Sequence, residues 1–372
     1  MKPNIIFVLL DGSRWDRVNH SPEFTELINE GTFLNNVTAA IPYTIGSVNA
    51  LFTGLYGKDN GIDAYYKMFR LKDSVKVLPE ILKEDGYFTA CDLLSEKIIS
   101  KRGYDIHQWH NEYEDNLLER HPKFIKDCLE KSNQKPLFLF LHFTRIHTVT
   151  VSETLKKYEW NDKNFYDKKE DNLLNYDKTF LEAGHYAKLI KKTIDDLGIS
   201  NDTLLVFFSD HGTGVGERFG ERNYGSFTYE ETIRAFFLFI GKDIVKNRIS
   251  KKLRENVDIF PTILDFIDSK IEFNGSGESF NDYLKNTDKD LDDKPYVYSE
   301  TGALQGPFPS PTKPNVFCIK SKKYKLIYLK TSEQWELYNL EDDPKEQKNI
   351  FASGISEENE LKSKLLTWIN RD

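Results

Sequence analysis

Four runs of apolar residues interrupt an otherwise polar chain: Asn4–Leu10, Pro136–His142, Thr203–Phe208 and Ala235–Ile240. Each is continuous rather than alternating and rich in branched or aromatic residues. That is the pattern of a strand covered on both faces, as in a parallel sheet. Between the runs the apolar spacing changes to that of helices. Residues 22–34 have such spacing with a glycine stop, and residues 44–57 predict a second helix opening at Thr44 and ending near Gly57. Val77–Leu82 begins another, residues 105–134 read as polar and helical, and His185–Leu197 and Val257–Leu264 follow the same period. Gly86–Ala90 resembles a strand start.

The 150–180 stretch is highly charged, carries Trp160, Phe165 and Tyr166, and reads as an insertion over the sheet edge, a candidate lid. From Ser269 to Lys294 the composition turns to Asp, Asn, Gly and Ser. Beyond it lie the strand-like runs Tyr296–Tyr298, Val316–Lys320, Tyr324–Leu329 and Trp335–Leu340, then an amphipathic helix over Glu357–Ile369. The expected fold is therefore α/β: a large, mostly parallel sheet sandwiched by helices, with a smaller C-terminal α+β lobe. The expected division is a main domain over 1–270, a linker or peripheral excursion over 271–294, and the small lobe over 295–372.

Composition narrows the function. With 39% hydrophobic and 30% charged residues, the 372-residue chain is an ordinary globular protein. Its net charge of −8, without basic blocks interleaved with aromatics, argues against nucleic-acid binding. An anionic substrate would need a local positive centre such as a metal ion. Cys91, Cys128 and Cys318 are too few and too scattered for a disulfide framework or a cysteine-ligated zinc. The apolar run Ile5–Leu10 is too short for a signal segment or a membrane span, so the expectation is a cytoplasmic protein without a span. The oligomeric state has no signature in the chain.

Candidate chemistry collects at strand ends, where open α/β sheets bind ligands. The first run closes in Asp11-Gly12-Ser13, the second is followed by Phe143-Thr-Arg-Ile-His147, and the third closes in Ser209-Asp210-His211-Gly212. The carboxylates of Asp11 and Asp210, the His211 imidazole and the Thr44 hydroxyl suit one divalent ion, Mn, Mg, Ca or Zn. Thr44 also suits a plain helix N-cap. An alcohol is a weak nucleophile at neutral pH, and a divalent ion can lower its pKa by many units. Thr44 is thus the candidate nucleophile, with His147 and Arg218 as catalytic partners and Ser47, Arg222 and Asn223 as substrate-binding residues. No Asp-His-His set for a second metal can be placed.

The ordered segments PNIIFVLLDGSRWD, SVNALFTGLYGKDNGI, GYFTA, FLFLHFTRIH, SDHGTGVGE, TYEETIRAFF, VDIFPTILD and YKLIYLKTSEQWELYNLEDDPKEQKNI resemble the sulfatase-like branch of the alkaline phosphatase superfamily. The resemblance covers nearly the whole chain and implies an alkaline phosphatase-like fold. It puts Asp11, Asp210 and His211 on family metal ligands, Thr44 on the nucleophile, and His147 on the histidine that contacts the transferred group or leaving oxygen. Sulfatases oxidise a Cys or Ser in a C-x-P-S-R frame to formylglycine. Here that frame reads Thr44-Ile45-Gly46-Ser47-Val48. The second acid of the usual Asp-Asp pair is Gly12, the usual His of Gly-Glu-His-Gly is Arg218, and the family lysine is absent near Gly225. A Thr at the nucleophile position resembles phosphodiesterases and phosphoethanolamine or phosphoglycerol transferases. The expectation is a metal-dependent hydrolase of phosphodiesters or phosphonate esters of small molecules or glycans, acting through a phospho-Thr intermediate. The alternatives are a soluble phosphotransferase acting on a glycan or lipid-linked acceptor, a sulfatase, and a non-catalytic binder of anionic glycans.

Overall fold

A computed structural model describes residues 2–67 and 70–371. The main sheet holds nine strands among the described residues: β1 (Asn4–Leu10), β2 (Gly31–Thr38), β3 (Phe88–Leu93), β4 (Ile106–Trp109), β5 (Leu137–Phe143), β6 (Thr203–Phe208), β7 (Arg234–Gly241), β8 (Arg248–Ser250) and β9 (Arg254–Glu255). Their order is β4-β3-β5-β1-β6-β7-β2-β8, with β9 also pairing β2. All neighbours are parallel except β7, which runs against β6 and β2. Five parallel strands, β4, β3, β5, β1 and β6, therefore deliver their carboxyl ends to one edge.

Strand alternation explains why the runs are apolar throughout. Ile5, Phe7 and Leu9 join Phe138, Phe140, Val206 and Phe208 on one face, against Val48, Leu51 and Phe52 of the helix Thr44–Thr53 and Ile259 and Ile263 of the helix Ile259–Phe266. Ile6, Val8 and Leu10 join Leu139, Leu141 and Phe207 on the other face, against the helices Pro22–Asn29, Leu117–Lys131 and Lys169–Asp196. Phe7 sits edge-on to Phe52, Phe138 and Phe208 at ring-centroid distances of 5.9, 5.8 and 5.8 Å.

Four expected elements have different bounds. The 22–34 helix ends at Asn29, and Gly31 starts β2; a Cβ at Gly31 would lie 1.9 Å from the Phe239 carbonyl oxygen of β7. The 44–57 helix ends at Thr53, where Gly54 takes a left-handed cap with φ 67°. The polar 105–134 stretch splits into β4 and the helix Leu117–Lys131, whose first turn is capped by Asn116. The supposed lid is confined to residues before 169, because Lys169–Asp196 is one 28-residue helix that buries Phe180, Ala183, Tyr186, Ala187 and Ile190 against the sheet.

The small lobe is an antiparallel sheet, β10 (Val297–Thr301), β11 (Val316–Lys320), β12 (Tyr324–Leu329) and β13 (Gln334–Asn339), backed by the helix Ser356–Ile369. Within 271–294, Phe280, Tyr283, Leu284 and Leu291 pack into the main core. A buried ion network joins the lobes: Glu230 receives Lys320 at 2.8 Å and Lys325 at 3.3 Å, and Lys325 also meets Glu346 at 2.9 Å.

Candidate active site

Asp11 leaves the end of β1 and Asp210 lies just beyond β6, its neighbour, so the topology places both carboxylates side by side. The chain leaving β2 turns into the helix that carries Thr44 to the same edge. Tyr43, with an extended backbone, is the N-cap of that helix and Thr44 its first residue. The Thr44 hydroxyl is therefore free of capping. Its Oγ1 lies 3.5 Å from Asp11 Oδ1 and 3.4 Å from His211 Nε2.

The surrounding bonds fix which atoms face this point. His211 Nδ1 donates to its neighbour's carbonyl, Gly212 O, at 2.7 Å, which leaves the Nε2 lone pair toward Thr44 and 3.4 Å from Asp210 Oδ2. Asp210 Oδ1 accepts the amides of Gly12 at 3.2 Å and His211 at 3.0 Å. Its other oxygen, Oδ2, is buried without a hydrogen-bond partner among the described residues. Asp11, Asp210 and His211 each offer one ligand atom within 4.8 Å of the others. An orphaned carboxylate oxygen, a second carboxylate, a free imidazole nitrogen and a hydroxyl converging on one point fit a divalent cation.

Electrostatics agree. Burial raises the Asp11 carboxyl, but the imidazoles of His147, His142 and His211 outweigh it and hold the group well below the usual carboxylate range. Burial raises Asp210, with His211 opposing and Asp11 reinforcing the shift.

The expected partners divide into two sets. His147 is brought in: its Nδ1 is hydrogen-bonded with Tyr224 Oη at 3.1 Å and stands 3.8 Å from Asp11 Oδ2, while its Nε2 stands 3.8 Å from Glu112 Oε2. The others have structural partners as well, though Arg222 Nε and Asn223 Nδ2 are buried without a hydrogen-bond partner among the described residues. Ser47 Oγ donates to the Asp210 carbonyl at 2.7 Å and accepts from Asn256 Nδ2 at 2.9 Å. Arg222 binds the carbonyls of Leu155 and Tyr158, and Asn223, with φ 86°, exchanges backbone hydrogen bonds with Gly214. Arg218, expected as a catalytic partner, is instead engaged by Glu231 at 2.8 Å, by the carbonyls of Glu346 and Lys345, and by the Tyr229 ring 4.1 Å from its guanidinium. Every nitrogen of its fork is committed away from Thr44.

Two departures from the family pattern have local causes. Gly12 adopts φ 68°, and a Cβ there would lie 2.8 Å from Thr213 Oγ1, so an aspartate would need Thr213 to shift and would sit in a left-handed backbone. Val48, on the Thr44 helix, is fully buried in the apolar core.

Sequence reasoning missed His142 and Tyr224. His142 Nδ1 accepts the Leu94 amide at 3.3 Å, so its Nε2 carries the proton and donates to Asp11 Oδ2 at 2.9 Å. It hides inside an apolar run. The polar break at the carboxyl end of a strand beside Asp11's strand was the available signal. Tyr224 packs on the His211 ring at 4.5 Å between centroids.

The mixed, mostly parallel sheet with its small antiparallel lobe is an alkaline phosphatase-like fold. The chain belongs to the sulfatase family: the family's sequence profile, described as Sulfatase, matches residues 3–269. A second profile, N-sulphoglucosamine sulphohydrolase, C-terminal, matches residues 220–371. The chain is 22% identical to an arylsulfatase of Clostridium perfringens, over 95% of this chain and 91% of that one. It is 24% identical to a low-salt glycan biosynthesis sulfotransferase of Haloferax volcanii, over 72% of this chain and 62% of that one. A structure solved in complex with its substrate D-glucosamine-2-N,6-O-disulfate superimposes with a TM-score of 0.75 at 17% identity, covering 99% of this chain and 97% of the other. No helix among the described residues is long and apolar enough to cross a membrane.

Proposed function

We propose that the protein cleaves an anionic ester of a small molecule or glycan, with Thr44 as nucleophile and Asp11, Asp210 and His211 holding one divalent ion, Mn, Mg, Ca or Zn. The transferred group in this reading is phosphoryl, from a phosphodiester or phosphonate ester. The observation that carries it is the convergence of Thr44 Oγ1 with Asp11 Oδ1, His211 Nε2 and the orphaned Asp210 Oδ2. A bound divalent ion would acidify the Thr44 hydroxyl and offset the charge of the incoming ester.

The chain's own groups supply the rest. Amides in the first turn of the Thr44 helix have no intrahelical carbonyl and favour an anion in front of Thr44. His147, hydrogen-bonded to Tyr224 and 3.8 Å from Asp11 Oδ2 through Nδ1, is placed to hold or protonate a leaving oxygen. Thr44 bears a methyl group on Cβ, so its oxidation would yield a ketone and not the aldehyde on which formylglycine chemistry depends. That favours phosphorus over sulfur.

A second reading, sulfuryl transfer at the same site, is favoured by family membership and by relatives named as an arylsulfatase and a glycan-biosynthesis sulfotransferase. Initial rates with bis-p-nitrophenyl phosphate, a p-nitrophenyl phosphonate ester and p-nitrophenyl sulfate separate the two, with candidate alcohols added to reveal transfer. Thr44→Ala is expected to lose at least a thousandfold in kcat on the preferred ester. Intact phosphodiester turnover by Thr44→Ala overturns the proposal, and faster wild-type turnover of the sulfate moves the assignment to sulfur.

A further inference from the structure

Farther along the same sheet edge lies a second buried cluster that the chemistry at Thr44 does not use. Asp92 belongs to β3, His110 directly follows β4, and His121 sits in the helix Leu117–Lys131. All three are buried, and each offers one ligand atom within 4.8 Å of the others. Asp92 Oδ2 is taken by Arg120 Nε at 2.6 Å and Gln108 Nε2 at 3.0 Å, while Oδ1 faces His110 Nδ1 at 3.1 Å and receives a long bond from Arg120 Nη2 at 3.4 Å. His121 Nδ1 is held by Tyr186 Oη at 2.6 Å, and its Nε2 is buried with no hydrogen-bond partner among the described residues. His110 Nε2 meets Thr144 Oγ1 at 3.4 Å.

We propose that Asp92, His110 and His121 form a second, structural metal site for a late first-row divalent ion such as Zn²⁺, tying the ends of β3 and β4 to the Leu117–Lys131 helix. Two imidazoles and a carboxylate are a donor set that such ions favour. Ligands about 2.0–2.1 Å from a tetrahedral ion lie about 3.3 Å from one another, close to the 3.1 Å between Asp92 Oδ1 and His110 Nδ1. Each histidine has an oxygen behind its far nitrogen, Thr144 for His110 and Tyr186 for His121, the outer contact that orients metal-bound imidazoles. An ion here gives the orphaned His121 Nε2 the partner its burial demands. The site lies beside the catalytic one on that edge, with the His110 ring 6.4 Å from that of His142. It holds whether or not Thr44 is a nucleophile.

The test removes the first site. The full-length Asp11→Asn/Asp210→Asn chain, stripped of metal, is titrated with Zn²⁺ alone by calorimetry and analysed for bound zinc after dialysis. One tightly held ion per chain and a rise in Tm are expected. His121→Gln in that background is expected to weaken binding at least a hundredfold, and Tyr186→Phe, which keeps the fold's apolar contacts, about tenfold. Co²⁺ in place of Zn²⁺ is expected to give the intense visible bands of a tetrahedral site. A folded background variant that takes up no zinc refutes the site. So does uptake that His110→Gln, His121→Gln and Tyr186→Phe all leave unchanged.

Discussion

Replacing His142 by Leu isolates the contribution of a residue that touches no ligand yet controls one. The substitution keeps most of the side-chain volume in a fully buried position of β5. It removes two hydrogen bonds: Nε2–H to Asp11 Oδ2 at 2.9 Å, and the Leu94 amide to Nδ1 at 3.3 Å. The first is charge-assisted and worth about 1.5–3 kcal/mol; the second leaves a buried amide unpaired at about 1–3 kcal/mol. The apo-protein is therefore expected to lose about 3–5 kcal/mol in urea unfolding. Metal affinity provides the sharper measurement. Losing the bond that orients a ligating carboxylate costs about 10–100-fold, or about 1.4–2.7 kcal/mol, in line with one charge-assisted bond. Calorimetric Mn²⁺ titration of His142→Leu and wild type reads this directly. A folded variant that binds Mn²⁺ with unchanged Kd refutes the claim that His142 positions Asp11 for a cation.

Three further outcomes follow from the geometry. Arg218→Ala is expected to lower stability by about 2–4 kcal/mol through loss of its bonds to Glu231 and the Glu346 carbonyl; a variant with wild-type Tm but no turnover would return Arg218 to the active site. Glu300 is buried with Oε1 unpaired among the described residues, and burial pushes its carboxyl up to about 8, Arg371 opposing and Asp63 adding. The unfolded chain ionises this group near about pH 4.3 while the folded chain keeps the proton, so stability falls as pH rises toward 8. Urea midpoints across that window should flatten in Glu300→Gln, and an unchanged slope would contradict the assignment. Phe7→Ala, which empties the contact of Phe7 with Phe52, Phe138 and Phe208, is expected to cost about 3–5 kcal/mol in urea unfolding; a loss below about 1 kcal/mol would mean the core closes over the gap.

The legible regions of this fold are those where burial on both faces leaves only apolar residues. β1, β5 and β6 are such strands, and their polar terminators Asp11, Asp210 and His211 meet as the sheet edge demands. β2 was hidden because Thr32-Phe33-Leu34 prolongs the apolar period of the preceding helix, and β4 because Ile106-His-Gln-Trp109 is a short, half-exposed edge strand. The Lys169–Asp196 helix is charged on its outer face, so its buried stripe was masked by composition. Tertiary pairing was beyond reach in the same way. Nothing in the spacing tells that Arg218 meets Glu231 and two carbonyls of the small lobe, or that Asp92, His110 and His121 share one pocket.

The ion network between the lobes limits how modular this protein can be. Glu230 belongs to the large lobe, while its counter-charges Lys320 and Lys325 come from β11 and β12. The Glu230 amide in turn donates to Glu346 Oε2 at 2.7 Å. Severed between the lobes, the large fragment would keep only Arg234, 3.9 Å away, against the buried Glu230. The small fragment would keep the Lys325–Glu346 pair but leave Lys320 without its acid. Neither half is therefore expected to fold well alone, and a small lobe borrowed from another protein is expected to fit only if it brings matching charges at those positions. Domain exchange in this chain must therefore move charges and sheet together, and fragment expression is a poor route to its active centre.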